Sequence, residues 1–176
     1  MGNIKTIKKN IKKYAKNDFF KARFIFTKYY ENSHIHEKEI LLQSYDGSSI
    51  SGNVYYILLE LCKNEQYKEF KKYVVANKKN YDKIKEDIES RQLENAEVIV
   101  LHSQIYCRKL AEAKYLINNA TFPTYFIKKQ EQIYLNTWHG TPLKGMGRNI
   151  KNAPNELGNT QRNFLMADYL CFSSNS

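Results

Sequence analysis

Long apolar runs are the first thing this sequence lacks. No stretch approaches the roughly 20 apolar residues that a membrane-spanning helix needs. The nearest, Phe19 to Phe26, is interrupted by Lys21 and Arg23. The N-terminus has no apolar core of the secretory kind, and its Met-Gly-Asn-Ile-Lys-Thr opening fits the myristoylation pattern only formally. Cysteine is also scarce. Cys62, Cys107 and Cys171 make an odd count with no short pairing spacing, which argues against a disulfide framework and for a reducing compartment. There is no internal repeat, no low-complexity linker and no recognised RNA- or DNA-binding motif, and tryptophan occurs once, at position 138.

What is present describes one globular unit. A chain of 176 residues is long enough for one full-sized core, and 42% hydrophobic with 26% charged residues is ordinary for a soluble domain. The high tyrosine content accompanies Lys, Asn and Ile, as an AT-rich coding sequence would produce. The net charge of +10 is placed unevenly: residues 1–30 hold nine basic residues against one acid, Asp18. Ile4, Ile7, Ile11 and Tyr14 recur at helical spacing with Lys8 and Lys12 among the lysines on the other faces. They predict a basic amphipathic helix from about Asn3 to Lys16. Such a helix suits an anionic membrane surface; packing on the chain's own fold or on a sister subunit is the alternative. The organisation expected is an arm over 1–30 and a folded lobe over 31–176. Charge confined to one helix, without a motif, speaks against nucleic acid as a partner.

From residue 40 onward the pattern alternates between strand and helix. Strands are expected at Ile40–Ser44, Lys72–Ala76, Glu97–Leu101, Lys114–Ile117 and Asp168–Phe172. Helices are expected from Gly52, with Val54, Ile57, Leu58 and Leu61 inward, and at Tyr81–Arg91, Ser103–Glu112 and Thr160–Met166. This spacing predicts an α/β fold with a doubly wound, mostly parallel sheet. Glu97–Leu101, continuously apolar, reads as a central strand. Arg23–Thr27 reads as a strand or buried extended piece, Asn32–Glu39 as a solvated loop, Tyr125–Ile127 as hairpin partner to Ile133–Leu135, and Arg148–Asn159 as a long loop. His34 and His36 with Glu37 and Glu39 have too weak a spacing to name a metal site, and no metal is expected. Asp46 and Ser48 either line the crevice beyond the strands or form a plain turn. His102 follows a strand at its crevice end without an evident partner and reads as structural.

The chemistry concentrates in Gln132 to Gly147, QIYLNTWHGTPLKGMG. A strand (Ile133, Tyr134, Leu135) runs through Asn136, Thr137 and Trp138 to His139 and breaks at Gly140. Ligands of open α/β sheets lie beyond the carboxyl ends of such strands. Thr141 can cap a following helical turn with Pro142 at its first position. Free backbone N–H groups and Lys144 would then face one spot suited to a phosphate, beside a histidine that is neutral near pH 7. On the residues alone, a histidine satisfied by hydrogen bonds at a strand end is the simpler reading.

NTWHGTPLK, Asn136 to Lys144, resembles the signature of the CDP-glycerol glycerophosphotransferase family, the teichoic-acid primases and polymerases of bacterial envelopes. AKYLINNATFPTYFIKK (Ala113 to Lys129), QRNFLMADYLCFSSN (Gln161 to Asn175) and, more loosely, SYDGSSISGNVYYILLEL (Ser44 to Leu61) are similar to the same family. Relatives commonly carry proline after the asparagine where this chain has Val54, so the helix there can start differently. The resemblance implies a Rossmann-like, acceptor-side lobe of a two-lobed glycosyltransferase-B-type enzyme, with a nucleotide-binding lobe to follow Ser176. It implies transfer of a polyol phosphate from CDP-glycerol, or a related CDP-polyol, to a lipid-linked glycerol-phosphate acceptor, with CMP released and no cofactor beyond the donor. Location would be cytoplasmic, peripheral at the inner face of the membrane, with Ile4, Ile7, Lys8, Ile11 and Lys12 as contacts. His139 would be the base. Gly140, Thr141, Lys144, Arg148 and Arg162 would hold acceptor phosphate, and Asn136 and Trp138 would wall the site. A non-catalytic acceptor- or membrane-binding domain is the alternative.

Overall fold

The computed structural model describes residues 18–138 and 154–171, with the side chains of 154–157 outside that set. Among the described residues, six strands form one sheet: β1 (His36–Gln43), β2 (Lys71–Ala76), β3 (Ala96–Val100), β4 (Ala113–Asn118), β5 (Ile133–Asn136) and β6 (Tyr169–Leu170). Their order is β3-β2-β1-β4-β5-β6, and every neighbouring pair is parallel. The expected doubly wound α/β lobe is therefore present. The helices are α1 (Asp18–Asn32), α2 (Gly52–Lys63), α3 (Tyr81–Ser90), α4 (Gln104–Glu112) and α5 (Pro154–Met166).

The sheet separates two cores. On one face Leu41, Tyr73, Val75, Leu116 and Tyr134 pack with Ala22 and Phe26 of α1, with Tyr106 and Leu110 of α4, and with Phe122 and Phe126. On the other, Ile40, Leu42, Val74 and Val98 meet Val54, Leu58 and Leu61 of α2 and Ile84 and Ile88 of α3. Alternation of the strand residues between faces follows from the two-residue period of a strand. The inward α2 positions are those expected from helical spacing, with Val54 fully buried at the helix start.

Five expectations are corrected. Arg23–Thr27 lies inside α1 and is not a strand. Ala22 and Phe26, four apart on one face, carry its burial, while the short Phe-Ile-Phe run imitates strand alternation. This helix passes through residue 30, where composition divides basic arm from lobe, and packs on the core. The strand after it starts at His36, four residues earlier than the apolar pattern, because His36, Glu37 and Lys38 extend exposed before the burial begins at Glu39. Ala96–Val100 is an edge strand, not a central one. Its apolar run reflects cover on both faces, which an edge strand can also have. The hairpin of Tyr125–Ile127 with Ile133–Leu135 does not form: β5 pairs with β4 and β6, and Tyr125 and Phe126 are buried in the aromatic core instead. The helix expected from Thr160 already begins at Pro154.

Candidate functional site

The strand order reverses direction between β1 and β4, the switch point where parallel sheets bind ligands. Gln43, Asn118 and Asn136 end β1, β4 and β5 and lie in register across the sheet. This row of three buried amides borders the carboxyl edge. Positive φ values gather at that edge too: Tyr45 (45°), Asp46 (52°), Gly47 (71°), Gly52 (62°), His102 (63°) and Trp138 (48°). Non-glycine residues held in the left-handed region are costly and tend to mark functional loops. Gly47 is obligatory here, since an added Cβ would stand 2.5 Å from the backbone nitrogen of Asn77.

Asn136 determines how the chain leaves β5. Its Nδ2 donates to the Ala120 carbonyl and the Tyr134 hydroxyl, both at 2.9 Å, and its Oδ1 accepts from the Trp138 N–H at 2.9 Å. The last bond closes a turn that places Trp138 at φ 48°, the geometry that Asn side chains stabilise. Thr137 N–H donates to the Asn118 carbonyl at 2.9 Å, and the Trp138 indole meets Phe164 edge-on at 4.9 Å. Asn136 thus orients the chain one residue before His139 and does so with its hydrogen-bonding capacity already engaged. Asn118 is less complete: its Oδ1 accepts from Ala120 N–H at 2.7 Å, while its buried Nδ2 has no hydrogen-bond partner among the described residues.

His139, Gly140, Thr141, Lys144 and Arg148 lie outside the described residues, as do Ile4, Ile7, Lys8, Ile11 and Lys12. Arg162, on α5, donates to the carbonyls of Phe126 and Pro123 and to Asn159 Oδ1. These bonds fasten the 122–126 turn to α5, and a phosphate at Arg162 would compete with them.

A second group gathers beyond β1 and β3. Gln43, Asp46, His102, Thr121 and Asn159 line a cavity of about 320 Å³ together with Phe19, Leu101 and Phe122. Tyr106 donates its hydroxyl to Gln43 Oε1 at 2.8 Å, which turns Gln43 Nε2 toward Asp46 Oδ1 at 3.5 Å and the Thr121 carbonyl at 3.3 Å. Asp46 keeps accessible surface at the rim, yet protein atoms crowd its carboxylate, and this desolvation raises its pKa against the pull of Gln43. His102 Nδ1 lies 2.8 Å from the Tyr125 hydroxyl, so the partner that sequence did not reveal is twenty-three residues away. Burial lowers the His102 pKa, partly offset by the charge of Asp18. Burial also raises the Tyr125 pKa far above the ordinary phenol range.

At the amino end of the sheet, His36, Glu39 and Glu112 come close enough to hold a metal ion. A cation already sits there: Lys109 Nζ is 2.7 Å from Glu39 Oε1 and 3.4 Å from Glu112 Oε2. That cluster is structural ion pairing, far along β1 from the carboxyl edge.

Residues 24–176 match the family model described as CDP-Glycerol:Poly(glycerophosphate) glycerophosphotransferase. The chain is 29% identical over 143 residues to a teichoic acid poly(glycerol phosphate) polymerase of Staphylococcus epidermidis, covering 81% of this chain and 18% of that protein. It is 29% identical over 116 residues to the polymerase of the same description from Bacillus spizizenii, covering 65% and 27%. Among solved structures it resembles the wall teichoic acid polymerase TagF, with a TM-score of 0.71 at 26% identity over 94% of this chain and 39% of TagF. A histidine-to-asparagine variant of TagF with CDPG gives a TM-score of 0.73 at 25% identity over 94% and 40%. The chain therefore spans well under half the length of these relatives. With the family model matched across the folded lobe, this chain belongs to the CDP-glycerol:poly(glycerophosphate) glycerophosphotransferase family.

Proposed function

We propose that this chain is the acceptor-side lobe of a glycerophosphotransferase that builds teichoic-acid-type or capsule polymer. The observation that carries the reading is the end of β5, where Asn136 fixes Trp138 one residue before His139 at the carboxyl edge of a parallel sheet. In the proposed reaction, a hydroxyl of a glycerol-phosphate acceptor attacks the β-phosphorus of CDP-glycerol. A new P–O bond forms, the bond to the α-phosphate oxygen breaks, and CMP leaves. The hydroxyl proton passes to the neutral imidazole of His139, a base suited to neutral pH. Lys144 and Arg148, with the backbone at Gly140 and Thr141, hold the anionic acceptor, since such transfer depends on positioning and charge neutralisation. CDP-glycerol or a related CDP-polyol is held chiefly by a second lobe.

The basic segment with Ile4, Ile7, Lys8, Ile11 and Lys12 is assigned to an anionic membrane, which brings the lobe to a lipid-linked acceptor at the inner face. The proposed contact is peripheral; among the described residues no helix is long and apolar enough to cross a membrane. The test is incubation of this lobe, joined to its proposed donor-binding second lobe, with CDP-glycerol and a glycerol-phosphate acceptor on anionic liposomes; the lobe by itself is expected to turn nothing over. Acceptor-dependent CMP release with lengthened product supports transfer; absence of release with both CDP-glycerol and CDP-ribitol contradicts it.

A further inference from the structure

The turn that ends β5 is held by a chain of hydrogen bonds that starts on α5. Asn163 is fully buried there. Its Nδ2 donates to the carbonyls of Phe122 at 3.2 Å and Asn159 at 3.0 Å. Its Oδ1 accepts from the Phe122 N–H at 2.7 Å and from the Tyr134 hydroxyl at 3.2 Å. Exchanging the nitrogen and oxygen of this amide would set acceptor against acceptor, so its orientation is fixed. A tyrosine hydroxyl has one proton to give. Tyr134 gives it to Asn163, and the 2.9 Å bond to Asn136 therefore runs from Nδ2 to the hydroxyl oxygen. Burial raises the Tyr134 pKa above the ordinary phenol range, which keeps that proton in place at neutral pH. Asn136 is left with Oδ1 facing the Trp138 N–H at 2.9 Å. The Ala120 carbonyl asks for the same orientation, so Tyr134 supplies the second of two constraints on this amide.

Packing alone does not require the hydroxyl. The Tyr134 ring lies among Phe122 and Phe126, with centroids 5.0 and 6.3 Å away, and a phenylalanine would fill the same space. The hydroxyl instead brings a polar group into an aromatic cluster, where it is costly unless bonded, and both of its bonds lie on the path from Asn163 to Trp138. Fully satisfied buried networks of this kind rigidify what they connect. Phe164, next to Asn163 on α5, meets the Trp138 indole edge-on at 4.9 Å, so the helix holds the turn through the backbone and through the ring. We propose that Tyr134 and Asn163 are positioning residues, which keep the turn leading into His139 rigid for transfer. The proposal rests on the transfer reading given above. Both residues are fully buried and act through Asn136, not on substrate.

The test has two arms. In this lobe, where Trp138 is the one tryptophan, acrylamide quenching reports on the turn. In the lobe joined to its proposed donor-binding second lobe, CMP release from CDP-glycerol with a glycerol-phosphate acceptor reports on transfer. Tyr134→Phe should increase quenching and lower kcat about tenfold, inside the up to about 10²-fold cost of a misplaced group, with KM for both substrates unchanged. Asn163→Leu should give the same kcat loss, and adding Tyr134→Phe should not deepen it. Tyr134→Phe should likewise add nothing to Asn136→Ala, since substitutions on one path are non-additive. Phe126→Leu removes packing from the same cluster while keeping these bonds, and should leave quenching and kcat at parental values. Additive losses, an equal kcat loss in Phe126→Leu, or parental kcat in Tyr134→Phe would each overturn the proposal while a dead His139→Ala variant keeps the transfer reading. His139→Ala at the parental rate removes the transfer reading and the positioning role with it.

Discussion

Replacing Asn136 with alanine tests how the candidate site is held in place. Three bonds of 2.9 Å are lost, and Asn136 itself is fully buried. The Ala120 carbonyl and the Trp138 N–H lose the partner shown for them, whereas the Tyr134 hydroxyl retains Asn163 Oδ1 at 3.2 Å. A fully buried group left unsatisfied costs about 1–3 kcal/mol; both of these bonds are only part-buried, so water relieves much of the penalty and the expected loss is about 1–3 kcal/mol in all. Trp138 would also be free to leave φ 48°, a conformation that costs about 1–2 kcal/mol for a residue with a Cβ. Because tryptophan occurs once in the chain, its fluorescence reports on this turn alone. Urea unfolding followed by circular dichroism gives the stability change, and acrylamide quenching of Trp138 in the folded state gives the local one. The expected result is a lower midpoint together with increased quenching before global unfolding. A change below about 0.5 kcal/mol, the scale of an ordinary surface substitution, with unaltered quenching would refute the role given to Asn136.

Other outcomes follow from the same structure. Lys109→Met leaves Glu39 with His36 and Tyr73 and Glu112 with Arg108, so it should cost less than the about 3–5 kcal/mol of a fully unpaired buried charge in urea unfolding, much of it recovered when Glu39→Gln is added. Desolvation raises the Glu39 pKa, but hydrogen bonds from Lys109 and His36 outweigh it, leaving the group lowered. Its contribution is therefore fully present above the ordinary glutamate range and is lost as pH falls through the depressed folded value; Glu39→Gln should flatten that acid limb. Gly47→Ala, with its Cβ against the Asn77 backbone at φ 71°, should lower the unfolding free energy by more than the roughly 1–2 kcal/mol of left-handed strain alone, read as a lower melting midpoint. Cys107 is buried, and burial drives its thiol pKa up to about 12, so a thiol reagent should label exposed Cys171 first and Cys107 only on unfolding.

The parallel sheet was legible because its strands and helices differ in period. Val54, Leu58 and Leu61 mark a helix face, and Lys72 to Ala76 a strand covered on both sides. Sheet order was not legible, since Ala96–Val100 has central-strand composition at an edge. Arg23–Thr27 misled because five residues fit either period when Ala22 is left out of the window. At the site, the motif ending β5 announced itself through its sharp glycine break and family resemblance. The function of Asn136 did not, because an asparagine that closes a turn and one that touches substrate have the same letter. The His102–Tyr125 pair and the Gln43–Asn118–Asn136 row arise from strand register and from contacts across the fold. Only two signals hinted at them: amides at the ends of three strands, and a histidine after a fourth.

The most direct test of the account is CMP release from CDP-glycerol by this lobe joined to its proposed donor-binding second lobe, and by the His139→Ala variant of the same two-lobed protein, with a glycerol-phosphate acceptor on anionic liposomes. Loss of a general base lowers turnover by about 10²–10⁴-fold, and the account predicts a loss in that range while the variant keeps the Trp138 quenching of the parent. A variant that releases CMP at the parental rate would contradict the assignment of His139 as the base at the end of β5.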